Sequence, residues 1–227
     1  MSERYTDNRA TAMADDAGGT RGVAANRLIR NTYILLSMTL AFSAVTASVA
    51  VVTNAPYPGV LLTLGGYFGL LFLTQYLRNS AWGLVSIFAL TGFMGYTLGP
   101  IVNAYLGLPN GGQTVMTAFG GTAAIFVSLS AYALISQRDF SFLRGFLFAG
   151  ILVAFLASLA GIFLQMPGLS LAVSVMFMLL MSGLILYQTS EMVNGGEDNY
   201  IMATITLYVA IYNLFLSLLQ LLGLANE

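Results

Sequence analysis

The sequence predicts an all-α integral membrane protein with seven transmembrane helices, and three observations carry that reading. Hydrophobic residues make up 58% of the 227 and charged residues only 7%, with a mean hydropathy of +0.82, whereas a soluble domain keeps about a quarter of its residues charged. The eight basic residues are all arginines, held within the first 30 residues and at Arg78, Arg138 and Arg144. The runs between them are free of basic residues and close to the roughly 20 residues that cross a hydrocarbon core about 30 Å thick.

The first span covers about 32–53, a run longer than the apolar core of a secretory signal, and Asn54-Ala55-Pro56-Tyr57-Pro58 ends it. Residues 1–26 before it are rich in Ala, Gly, Asp, Arg and Thr and contain no Leu, Ile or Phe. Such a segment cannot bury enough apolar area to offset its chain entropy. The chain therefore divides into a disordered cytoplasmic tail, 1–26, and a membrane domain, 27–227. The second span, about 58–77, stops at Arg78-Asn79-Ser80. The third, about 81–106, carries Gly92, Gly95 and Gly99 followed by Pro100. Small residues at this spacing let helices approach closely, and the proline removes a backbone hydrogen bond and kinks the helix, so packing is the favoured meaning and a gating hinge the alternative. Asn103 stands where it could cap the freed carbonyls.

The fourth span, about 113–135, follows Gly-Leu-Pro-Asn-Gly-Gly, and the fifth, about 145–165, follows Arg138 and Arg144. Gln-Met-Pro-Gly separates it from the sixth, about 169–190. An acidic connection around Glu197 and Asp198 leads to the seventh, about 201–224. Tyr33, Tyr57, Tyr76, Trp82, Tyr105, Tyr132 and Tyr200 fall near span ends, where amphipathic rings anchor at the interface.

Charge then sets orientation. Arg27, Arg30, Arg78, Arg138 and Arg144 occupy alternate connections, and the other connections before the sixth span are uncharged. By the positive-inside rule the N-terminus is cytoplasmic, and seven crossings place the C-terminus outside.

Composition also excludes chemistries. Without His or Cys there is no serine–histidine or cysteine–histidine dyad, no H-E-x-x-H motif, no disulfide framework and no usual zinc ligand set. Without Lys there is no retinal Schiff base, and no Asp falls inside a span to form an intramembrane aspartate pair. A net charge of −1 gives no basic face for nucleic acid. The expectation is a protein that is not an enzyme and carries neither metal nor cofactor.

A few polar groups remain inside the spans. Thr206, Ala210, Asn213, Ser217 and Gln220 recur at helical steps of four, three, four and three, so they share one stripe of span seven. Gln188 and Glu191 lie three apart near the end of span six. These residues are the candidates for a polar path through the bundle; hydrogen bonding between helices is the favoured alternative.

Four segments in order, RNTYILLSMTLAFSA (30–44), TGFMGYTLGPI (91–101), RDFSFLRGFLFAG (138–150) and ILYQTSEMVNGGEDNYIMATITLYVAIYNLFLSLLQLLG (185–223), resemble the Bax inhibitor/YccA family, and closely its bacterial YccA branch. The resemblance implies a bundle whose last helix is central and surrounded by the other six, in the bacterial inner membrane. It implies one of two activities. Members of the branch modulate the FtsH AAA+ protease and serve as its slow substrates, with the HflK and HflC proteins nearby. Other members are pH-sensitive calcium leaks that use two aspartates facing each other from the last two helices. Aligned on LYQTSE and LYVAIYNLF, Gln188 and Ala210 stand at those two positions. Two carboxylates sharing a proton would explain pH gating and cation binding, which an amide and a methyl group cannot provide.

Overall fold

The computed structural model describes residues 22–161, 163–164 and 168–224 together with the backbone that links them into helices. Seven α-helices form in order: α1 Glu3–Val52, α2 Val60–Leu77, α3 Trp82–Leu106, α4 Gly111–Ser136, α5 Leu143–Leu164, α6 Pro167–Asn194 and α7 Tyr200–Leu224. Each contains a stretch long and apolar enough to cross a membrane, and in α1 that stretch is Gly22–Val52. The protein is a multi-pass membrane protein.

Local chemistry places the breaks. Asn54 takes a left-handed backbone at φ 48° and Gly59 one at φ 92°, and the two prolines between them cannot continue a helix. Gly195, at φ 80°, terminates α6, whose last turn closes when the Gly196 amide donates to the Glu191 carbonyl at 2.8 Å. Asn199 starts α7 as an N-cap: its Oδ1 accepts from the amides of Ile201 and Met202 at 3.0 and 3.1 Å.

Residues 22–26 are helical and continuous with the first span. The physical reason is that nucleation is the costly step of helix formation, so a span that already exists extends cheaply into Ala-rich sequence. The rest of the expected tail lies outside the described residues.

Every face of α7 is covered. No residue from Tyr200 to Gly223 is exposed, and α7 contributes to all three apolar clusters of the bundle. Its direct neighbours are α1, α3, α4 and α6. The other two helices are outer: α2 packs on α3 and α5 on α6, and Phe68 of α2 meets Phe155 of α5 edge to face at 5.9 Å. The last helix is central, and four helices rather than six enclose it closely, because α2 and α5 bury their inner faces on α3 and α6.

Candidate functional site

One end of the bundle gathers the arginine-bearing connections, and hydrogen bonds prove that they meet. Asn199, before α7, donates from Nδ2 to the Arg78 carbonyl at 3.2 Å and to Asn79 Oδ1 at 3.0 Å. Ser190 of α6 donates to the Arg138 carbonyl at 2.9 Å, accepts from the Phe140 amide at 3.0 Å and accepts from Asn194 Nδ2 at 3.1 Å. Thr204 Oγ1 reaches the Thr32 carbonyl of α1 at 3.3 Å. This arginine end is thus latched by α6 and the α6–α7 connection. Asp139 belongs to it: the Ser141 amide donates to its carboxylate at 2.8 Å, and that hydrogen bond holds its pKa below the usual carboxylate value. Arg27 and Arg30 precede Thr32 by five and two residues on α1, and Arg144 begins α5 beside the latched loop.

Among the described residues the opposite end is uncharged. Asn103 does not cap its own helix there; its Nδ2 donates across to Asn54 Oδ1 at 3.1 Å, tying α3 to the α1–α2 connection. Interhelical partners pull the amide outward. Pro100 stands inside an α3 that runs on to Leu106.

The glycines of α3 form the seat for α1. A Cβ added at Gly92 would meet Phe42 at 2.6 Å, at Gly95 the Ser43 carbonyl and the Thr46 hydroxyl, and at Gly99 the Ala50 methyl and, at 2.9 Å, the Ala47 carbonyl. Backbone and β-carbons of α1 fill the space that side chains would need.

The polar candidates of α6 and α7 fall into two separate groups. Gln220 bonds to α6 at the uncharged end, where Ser174 donates to its Oε1 at 2.6 Å and its Nε2 reaches Ser170. Gln188 is 14 residues from Ser174 toward the arginine end of the same helix, or about 21 Å at 1.5 Å per residue. Between them, Leu180, Met181 and Ile185 of α6 pack with Ala210 and Leu214 of α7 in an apolar cluster. Thr206 and Asn213 bond back to their own helix, at the carbonyls of Met202 and Val209. Ser217 is buried. An apolar cluster lies between Gln188 and Gln220 along this interface. Glu191 sits one turn beyond Gln188, where an added Cβ at Gly196 would strike it. Ala210 is fully buried and Gln188 nearly so.

Sequence reasoning passed over the tyrosines of the bundle centre. Tyr208 OH pairs with Ser43 Oγ at 2.6 Å and reaches the Thr91 carbonyl at 3.3 Å, linking α7, α1 and α3. Tyr212 stacks beside it at 6.3 Å. The available signal was position: these rings fall in mid-span, far from the interfaces that tyrosines favour, and a mid-membrane phenol needs a partner. Of the rings read as anchors, Tyr57, Tyr76, Trp82 and Tyr132 are exposed. Tyr33 and Tyr200 instead pack on the core, and Tyr105 covers Gly223.

A seven-helix bundle wrapped on its last helix, with an arginine end latched by α6, defines a polytopic membrane protein. The family model described as inhibitor of apoptosis-promoting Bax1 matches residues 25–227, and the chain belongs to that family. Among its relatives, an uncharacterized protein of Pseudomonas aeruginosa is 55% identical over 226 residues, covering 100% of this chain and 98% of the relative. The Escherichia coli protein called modulator of FtsH protease YccA is 51% identical over 205 residues, 90% of this chain and 93% of its own. A second Escherichia coli strain has the same match under the name inner membrane protein YccA.

Proposed function

We propose that this chain is a modulator of an FtsH-type AAA+ protease in the bacterial inner membrane, acting by protein–protein contact and not by catalysis. The observation that carries the reading is identity at half of all positions, across nine-tenths of both chains, with a relative named for that activity. The absence of a carboxylate at Gln188 and Ala210 supports contact over conduction. HflK- and HflC-type proteins are further candidate partners. The arginine end is taken as cytoplasmic, which places the N-terminus on the protease side; alkaline phosphatase should be active when fused after Glu227 and silent after Arg144.

Within this reading the segment before residue 22 is the end that the protease engages, because a AAA+ motor needs an end that no span holds. The test joins two measurements: co-purification from native membranes and turnover. The intact chain should bring down the protease, and removal of residues 2–20 should slow degradation while co-purification persists. Failure of the intact chain to retain the protease would sink the proposal, whereas unchanged turnover after truncation would move the handle to the loop around Glu197 and Asp198.

A further inference from the structure

Hydroxyl side chains in this bundle have a habit. Thr39, Ser86, Thr91, Thr97, Thr122 and Thr206 each donate to a carbonyl three or four residues back on their own helix, which satisfies them without any other partner. Thr32, Ser130, Ser136 and Thr189 break the habit: their hydroxyls are buried with no hydrogen-bond partner among the described residues, as are Tyr33 OH and Gln188 Nε2. A buried donor left unpaired is disfavoured by about as much as a hydrogen bond would have gained.

These exceptions are not scattered. All six belong to the halves of α1, α4 and α6 nearest the arginine end. Thr32 is fixed there by the bond from Thr204 of α7 to its carbonyl. Tyr33 packs on Phe126, 6.1 Å between ring centroids, one turn before Ser130. It also packs on the cluster containing Met192, one turn from Gln188 and Thr189. The side chains of Thr32 and Thr189 are fully inaccessible, and Ser130 and Gln188 are 4% and 5% exposed. Three helices therefore carry buried polar groups without a partner among the described residues toward the same end of the bundle.

We infer that Thr32, Tyr33, Ser130, Gln188 and Thr189 form an enclosed water-binding site between α1, α4 and α6, near the arginine end and closed from the apolar seam around Ala210. Water fits because each molecule takes about three hydrogen bonds and can donate or accept as each hydroxyl and amide requires. The set is uncharged, so it offers no carboxylate to a cation. Glu191 holds the nearest carboxylate on the helix, and that carboxylate lies beside Gly196. The inference stands apart from the protease reading.

The test uses X-ray radiolysis of the full-length protein in lipid nanodiscs prepared in H2(18O), with labelled residues read by mass spectrometry, since hydroxyl radicals made from bound water attack what that water touches. Met192 and Met181 are a matched pair, both on α6 and both buried, with Met181 inside the apolar seam. Met192 should take up label several-fold faster than Met181, and Tyr33 should label with it. In the double variant Gln188→Leu with Thr189→Val, labelling at Met192 should fall toward that of Met181, with no rise in Tm. Equal labelling of the two methionines in the unaltered protein would overturn the site. A Tm that rises in the variant would overturn it too, because removing dry orphaned polar atoms is stabilising.

Discussion

At Gly95 the space for a single methyl group decides whether two helices can touch. The Ser43 carbonyl and Thr46 hydroxyl of α1 already occupy the position of a Cβ there. Gly95→Ala must push α1 away from α3, and overpacking of this kind costs about 1–3 kcal/mol. Gly69 of α2 has nothing within 4 Å of the same position. Gly69→Ala should therefore leave thermal stability unchanged or raise it by up to about 1 kcal/mol through helix propensity, while Gly95→Ala lowers Tm by several degrees in the same detergent. Equal Tm values for the two variants would mean that α1 does not seat on α3 as described. Ser190 is the second decisive residue. It makes three hydrogen bonds to the α4–α5 connection and to Asn194, and Ser190→Ala removes them all. Each is worth about 1 kcal/mol net, so the variant should lose roughly 2–3 kcal/mol and expose the peptide around Phe140 to protease in permeabilised membranes.

At the scale of the element, α7 is the informative case. A helix enclosed on all sides must start at a fixed place, since sliding by one residue would turn every buried face. Asn199 supplies that register twice over: its Oδ1 caps the first turn, and its Nδ2 holds the α2–α3 connection. Asn199→Ala should cost about 1 kcal/mol for the cap and a similar amount for the lost bridge. Asn199→Asp keeps the cap but cannot donate, so it should recover about half the loss. Urea or thermal titration of the three proteins in one detergent checks the order Asn, Asp, Ala. The latch helices also explain why α6 runs to Asn194, beyond the point where hydropathy alone stops near residue 190: its last turn remains helical because Ser190 and Asn194 find partners on the α4–α5 connection.

For the whole molecule, the apolar seam of Leu180, Met181, Ile185, Ala210 and Leu214 separates a polar arginine end from the Gln220 group at the other. A bundle arranged in this way should resist ion passage, because an ion crossing the seam would shed its water against apolar side chains. Calcium flux through liposomes containing the unaltered chain should stay near background between about pH 5 and 8. Gln188→Asp with Ala210→Asp should raise it, because two carboxylates would then share the α6–α7 interface and take up protons at different pH. A robust pH-gated flux in the unaltered protein would show that Glu191 or a rearranged seam conducts.

The sequence by itself determined the seven spans, because a backbone in lipid must satisfy its hydrogen bonds within each helix, and twenty apolar residues then announce a span in one dimension. α2, α3, α4 and α7 begin and end within two residues of where hydropathy and turn residues place them. The glycine run of α3 and the polar stripe of α7 were legible for the same reason, as periods along one helix. What only the tertiary structure decided is which faces meet. Lipid is as apolar as leucine, so hydrophobicity does not tell an inner face from an outer one, and nothing in the spacing of Gln188 and Gln220 reveals that they lie toward opposite ends of the bundle. Whether a buried hydroxyl bonds back to its own helix, as Thr91 does, or has no partner among the described residues, as with Thr32 and Thr189, depends on the neighbour it faces. That neighbour is fixed only when α1, α4 and α6 have closed around α7.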